Sequence, residues 1–123
     1  MKISNKENLP EMLNNPGGEN LQEILGRIAG DVTSHSLAEV RIQSGNNSSK
    51  HFHKHSEESY FILSGAASVE INNTVHKLMP GEAVLLEPLD VHQISNQGEQ
   101  DLVFLAVCVP AWSPDDSFDI EEA

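Results

Sequence analysis

The amino-acid sequence predicts an all-β domain, a sandwich or barrel of short strands. Segments in which apolar and polar residues alternate with a period of two recur from Leu37 to Val109. Breaks rich in Gly, Pro and Asn separate them every eight to twelve residues or so, the rhythm of an all-β fold. Helical spacing of apolar residues is confined to one stretch, Leu21–Ile28.

In chain order, Met1–Asn20 is polar and interrupted by Pro10, Pro16, Gly17 and Gly18, which predicts an irregular N-terminal arm with a short helical turn near Leu9–Leu13. Leu21–Ile28 fits a helix or a strand, because Leu21, Ile24, Leu25 and Ile28 satisfy helical spacing in a run this short. Gly30–Ser34 reads as a turn. Leu37–Gln43 is a strand with Ala38, Val40 and Ile42 on one face, followed by a turn-rich loop at Gly45–Ser49. His51–Lys54 is short and extended. Ser59–Leu63, with aromatic and β-branched residues, is a further strand, broken at Gly65. Ala67–Ile71 and Thr74–Leu78 form a hairpin about Asn72-Asn73, because Asn tolerates left-handed backbone. Pro80-Gly81 turns the chain into Ala83–Leu86. Val91–Ser95 and Leu102–Val109, separated by Gly98-Glu99, complete the set. The residues after Val109 contain prolines and are acidic, which predicts a solvated tail, disordered at its end. The expected organisation is an arm at 1–20, one barrel domain at 21–110 and an acidic tail at 111–123.

Composition narrows the function. The 123 residues hold 19 acidic side chains against 7 Lys and Arg, a net charge of -12. Nonspecific binding to nucleic acid or to an anionic membrane surface needs the opposite sign, so neither is expected. Cys108 is the sole cysteine and permits no intramolecular disulfide, which fits a cytoplasmic location. Met1–Pro10 has no apolar run of the signal-peptide kind, and the longest apolar stretch, Leu102–Pro110, is too short for a membrane-spanning helix.

One constellation carries chemistry. His51 and His53 are separated by one residue, so an extended backbone projects both imidazoles to one side. Glu58 follows a polar bend, and His92 lies further on. Imidazole nitrogens with one carboxylate suit a divalent transition metal (Mn, Fe, Ni, Cu or Zn), whereas Mg or Ca prefers more oxygens. The remaining histidines lack such company. His55 shares the parity of His51 and His53 but sits in the bend and is expected to be exposed. His35 and His76 read as surface or strand-edge residues. Arg27 and Arg41 could bind an anionic substrate but read first as salt-bridged surface positions, and Cys108 reads as a small buried hydrophobe on the face of Leu102, Phe104 and Ala106. Tyr60 shares the parity of Glu58, so it faces either the cavity or the core.

The frame around these residues resembles a known family. Gly45, His51, His53, Glu58 and Gly65 stand at the spacing of the first conserved motif of the cupin superfamily, and HFHKHSEESYFILSG is similar to small single-domain cupins in particular. Pro80-Gly81-Glu82, Pro88, His92 and Asn96 match the second motif. Glu87 stands where that motif usually has a proline, and Leu89 where it usually has a glycine, so the turn before His92 is expected to differ in shape. The resemblance implies a double-stranded β-helix, the jelly-roll barrel, with His51, His53, Glu58 and His92 binding one divalent metal inside its mouth. It implies a small-molecule metalloenzyme of the dioxygenase, isomerase, decarboxylase or lyase kind, for which Tyr60 is the candidate catalytic side chain. The alternative is a non-catalytic module that binds a sugar or carboxylic acid. It further implies a homodimer formed through the sheet and the N-terminal segment, with Leu21–Ile28 pairing or swapping with its partner, and Trp112 packed over a barrel face.

Overall fold

The computed structural model describes residues 1–10 and 13–120. Its strands are β1 (Leu13–Asn14), β2 (Glu19–Leu25), β3 (Ser36–Ile42), β4 (His51–Phe52), β5 (Glu57–Ser64), β6 (Ala67–Ile71), β7 (Thr74–Leu78), β8 (Ala83–Leu86), β9 (His92–Ser95), β10 (Leu102–Val109) and β11 (Phe118–Asp119). They form a six-stranded sheet in the order β1-β2-β3-β10-β5-β8 and a five-stranded sheet in the order β11-β4-β9-β6-β7. Long-range neighbours such as β3 and β10 pair antiparallel, so the chain winds back and forth between two sheets as a jelly roll does. This is the all-β architecture that the alternation predicts.

Period-two burial decides which residues meet. Along β5, Glu58, Tyr60 and Ile62 are buried and point between the sheets, while Phe61 and Leu63 stand on the outer face. Val40, Ile62 and Phe104 of one sheet meet Val69 and Ile94 of the other in a single core cluster. Each such side chain stabilises the fold by about 1.5–3 kcal/mol relative to exposure. Polar groups close the ends of the core. Buried Asn96 donates from Nδ2 to the carbonyls of Ile42 (2.9 Å) and Gln100 (2.7 Å) and accepts from the amide of Gly98 (3.0 Å). It ties the exit of β9 to the end of β3.

The turns follow residue chemistry. Asn72 and Asn73 have φ of 48° and 71°, and they close the two-residue hairpin that pairs Ile71 with Thr74. Gly65 has φ of 81°, and a Cβ there would stand 2.6 Å from the carbonyl oxygen of Asp101. Only glycine fits between β5 and the start of β10.

Three expectations are corrected. The N-terminal helical turn is a 3-10 turn at Lys6–Asn8, capped by the Asn5 side chain, and not at Leu9–Leu13; Leu13 is in β1, while Glu11 and Met12 lie outside the described residues. The ambiguous stretch is a strand, shifted to Glu19–Leu25, and its turn comes early, at 26–31. Buried Glu23 explains the stop: its Oε1 accepts from the amides of Ile28 (2.7 Å) and Ala29 (3.0 Å) and folds the chain back. β2 pairs within its own chain, with β3 along Glu19–Leu25 and with β1 at Asn20 and Leu21. Thirdly, the acidic tail is not a solvated strand of coil over its described length. Pro114–Asp116 is a 3-10 turn capped by Ser113, and β11 pairs with β4. Acidity misleads here because Phe118 supplies the apolar contact, stacking on Phe52 at 5.3 Å between ring centroids. The expected disorder at 121–123 lies outside the described residues.

Candidate metal centre

The two sheets bring His51, His53, Glu58 and His92 together, with one potential ligand atom from each lying within 4.8 Å of all the others. His51 on β4 is the register partner of His92 on β9, and their rings stand 4.3 Å apart. His53 follows β4 on the same face, 5.1 Å from His51. Glu58 reaches in from β5 of the other sheet. Glu58 Oε1 lies 3.2 Å from His92 Nε2 and 3.5 Å from His53 Nε2.

The orientation of the imidazoles is set by the backbone. Nδ1 of His51 lies 2.9 Å from the carbonyl of Ser49, Nδ1 of His53 2.9 Å from that of Asp116, and Nδ1 of His92 2.9 Å from that of Asp90. A carbonyl only accepts, so each Nδ1 carries the proton and each Nε2 keeps its lone pair. His53 Nε2, His92 Nε2 and Glu58 Oε1 are buried and have no hydrogen-bond partner among the described residues. Orphaned buried acceptors are costly in a folded protein. A cation among them removes that cost, so the donor set fits a divalent metal.

Charge follows the same geometry. Burial pushes the Glu58 carboxyl up, but in the metal-free protein protonation of His53 or His92 at Nε2 turns that imidazole into a charged donor, and this outweighs burial and holds the carboxyl well below the usual carboxylate range. Burial also lowers His51, with the neighbouring His92 adding to the effect, so His51 is held neutral. For His53 burial acts downward, but Glu58 more than offsets it and the net shift is upward. Cys108 donates its thiol to Glu58 Oε2 at 3.1 Å. Burial and the Glu58 charge push that thiol far above its ordinary range. Cys108 is thus the expected buried residue, with an added task of orienting the carboxylate.

A cavity of about 230 Å³ opens onto the cluster. Its walls come from alternate inward residues: Glu19, Leu21 and Glu23 of β2, Val40 of β3, Phe104 of β10, and Tyr60. Tyr60 is 2 % exposed, packs edge-on to Phe104 at 4.8 Å and lies 6.1 Å from His92. Burial and the Glu58 charge raise its phenol well above the ordinary value, so it stays protonated. Trp112 lines the cavity as well. His55 and His76 are exposed and His35 is half-buried against Ser34; none of them joins the cluster. Arg41 pairs with Asp101 at 3.2 Å, and Arg27 donates to the carbonyl of Ala111, both away from the cavity lining.

Sequence reasoning missed two contributors. Asp116 accepts from the amides of Lys54 (3.0 Å), His55 (3.0 Å) and Ser56 (2.9 Å), clamping the bend between His53 and Glu58. Burial opposes its ionisation, but these amide donors outweigh it and lower its pKa. Nothing in local spacing links residue 116 to residue 54. Glu19 falls within the stretch expected to be an irregular arm, although its two-residue spacing to Leu21 and Glu23 is a strand signal. Burial raises the Glu19 carboxyl, and the Glu58 charge adds to this.

Residues 38–108 match the Cupin domain family. The uncharacterized protein MJ1618 of Methanocaldococcus jannaschii is 32% identical over 82 residues, 67% of this chain and 66% of that protein, so the chain spans about two thirds of that relative's length. The oxalate-binding protein of Thermotoga maritima is 26% identical over 113 residues, 89% of this chain and 93% of that protein. Among solved structures, Pac13, a nucleoside dehydratase from Streptomyces, superposes with a TM-score of 0.79 at 15% identity, covering 98% of this chain and 92% of that one. At that identity the likeness concerns the fold.

Proposed function

Because the chain belongs to the Cupin domain family, we propose that it is a small-molecule metalloenzyme that holds one divalent transition metal at His51, His53, Glu58 and His92. The observation that carries this reading is the set of buried, unpartnered acceptors around one point, each histidine locked by a backbone carbonyl on its far nitrogen. When bound, such a metal supplies Lewis acidity toward a carbonyl or hydroxyl oxygen, or a redox centre in the case of iron, manganese, nickel or copper.

The chain's own residues do the rest. Glu58 supplies the single negative ligand, and the Cys108 thiol fixes its second oxygen. Tyr60, held protonated beside His92, can donate a hydrogen bond to a ligand in the cavity but is a poor base. The walls of Leu21, Val40, Phe104 and Trp112 exclude water from one side of that ligand. The reaction is a proton transfer, a bond cleavage beside a carbonyl or an oxidation, in the isomerase, lyase, decarboxylase or dioxygenase classes. A second reading, capture without turnover, is favoured by the similarity to a protein named for binding oxalate.

Metal analysis of protein purified without chelator tests the site. About one transition metal per chain is expected in the wild type, and less than about a tenth of that in His92→Ala with the fold retained by circular dichroism. Equal metal in both would sink the assignment. Turnover of any substrate by metal-loaded wild type, lost in His92→Ala, separates the enzyme from the binding module. A thermal shift with a ligand, and no turnover, favours the latter.

We further infer that the chain forms a homodimer through the outer face of its six-stranded sheet. Phe61, Leu63, Leu85 and Val109 are exposed there at 42%, 43%, 51% and 46%. Register places Phe61 beside Leu105, and Ser59 between Leu85 and Val107. This apolar face is a better candidate than β2, which pairs with β3 on one side and has Asn20 and Leu21 covered by β1 on the other.

A further inference from the structure

The cavity has an unusual charge balance. Among its described lining residues there is no Lys or Arg, and the undescribed Glu11, Met12, Glu121, Glu122 and Ala123 contain none either. Carboxylates line it instead: Glu19, Glu23, Glu58 and Asp119. Their situations differ. Glu58 belongs to the His–Glu cluster. Glu23 is 6 % exposed and engaged with two backbone amides. Asp119 is exposed at the rim, where it accepts from Ser49 Oγ at 3.1 Å and is screened by solvent. Glu19 is half-buried in the wall, and among the described residues its side-chain partner is Asn15 Nδ2 at 2.8 Å, which also lines the cavity.

We propose that Glu19 is a specificity-determining residue: with Asn15 it forms a polar contact for an uncharged, hydroxyl- or carbonyl-bearing ligand, and its charge repels dianions such as oxalate or a sugar phosphate. The inference rests on the metal reading above. A divalent ion bound by neutral imidazoles and one carboxylate leaves a net charge of about +1 at the cluster. The Glu19 carboxylate cancels much of that attraction inside a cavity with low-dielectric walls, where charges act more strongly than in water. No guanidinium or ammonium is available to grip an anion bidentately or as a point charge. Leu21 and Val40, which flank Glu19 on the same face, and Phe104 and Trp112 favour a ligand with an apolar side. Glu19 and Asn15 bond each other through donor and acceptor groups that suit a hydroxyl equally well, and neither needs a charged partner.

The test compares oxalate with oxamide, its uncharged counterpart of similar shape, on zinc-loaded protein at about pH 8, far enough above the ordinary carboxyl range to keep Glu19 ionised against the upward push of its burial. Isothermal titration and zinc content are measured for the wild type, Glu19→Gln and Glu19→Asp. Glu19→Gln is expected to tighten oxalate binding about tenfold, the effect of removing one nearby charge, while oxamide changes by less than about twofold. Glu19→Asp, which keeps the charge, is expected to stay near the wild type for oxalate. Zinc retained in all three with oxalate unchanged, or with both probes shifted equally, overturns the inference and leaves the metal reading standing. Zinc lost from Glu19→Gln alone also overturns it, because Glu19 would then serve the metal and not the ligand. Zinc absent from the wild type overturns the metal reading and this inference with it.

Discussion

The turn before His92 shows what single residues decide. Glu87 and Leu89 depart from the pattern of the resembling motif, and both departures have a physical account. The amide of Glu87 donates to Asp90 Oδ2 at 2.9 Å, and the amide of Asp90 donates to the Glu87 carbonyl at 3.0 Å. A proline at 87 could not make the first bond. Leu89 has φ of 75°, yet its amide donates to the carbonyl of His53 at 2.7 Å, joining the two halves of the candidate ligand set. Left-handed backbone costs a side-chain-bearing residue about 1–2 kcal/mol, and glycine gives back about 0.5–1 kcal/mol in lost chain entropy. Leu89 is 63% exposed, so little packing is at stake. Leu89→Gly is therefore expected to raise stability by about 0.5 kcal/mol, or about 2 °C in Tm. A fall in Tm by thermal unfolding would contradict this account of the strain.

At the scale of elements, the segment after β10 behaves as part of the site. Ser113 caps a single 3-10 turn, which delivers the Asp116 carboxylate to three consecutive amides and its carbonyl to His53 Nδ1. β11 then pairs beside β4, and Lys54 Nζ sits 4.5 Å over the Phe118 ring. Partners that orient a metal ligand typically carry about 10–100-fold in affinity. Asp116→Ala is expected to weaken zinc binding by about tenfold in competition with a chromogenic chelator, with less than about 2 kcal/mol lost from the metal-free fold. Unchanged affinity would show that β11 holds the bend without Asp116.

The whole molecule is two sheets with opposite assignments. The inner faces build the core and the cavity, and the outer face of the six-stranded sheet carries an apolar patch of Phe61, Leu63, Leu85 and Val109. This patch is the association surface we propose for the dimer. Light scattering coupled to gel filtration is expected to give the mass of a dimer, and Phe61→Glu the mass of a monomer with its metal content intact. A wild-type monomer at micromolar concentration would remove the dimer from the reading. Among the described residues, no helix is long and apolar enough to cross a membrane.

Much of this was legible along the chain because its determinants are local. Alternation in β6, and apolar or β-branched runs bounded by turn residues in β7, β8 and β10, marked these strands to the residue, and Asn72-Asn73 announced its own hairpin. The spacing of His51, His53, Glu58 and His92 within a recognisable frame named the residues that meet at one point, and the exposure of His55 followed from its place in the bend. Tertiary structure alone decided the rest. Whether Leu21–Leu25 became helix or strand depended on β3 offering a pairing edge, since a short amphipathic stretch satisfies either period. The clamp by Asp116, the role of Cys108 on Glu58 and the place of Glu19 in the cavity wall are contacts between residues tens of positions apart. Spacing in sequence carries no information about them, because their partners are chosen by how the two sheets curl onto each other.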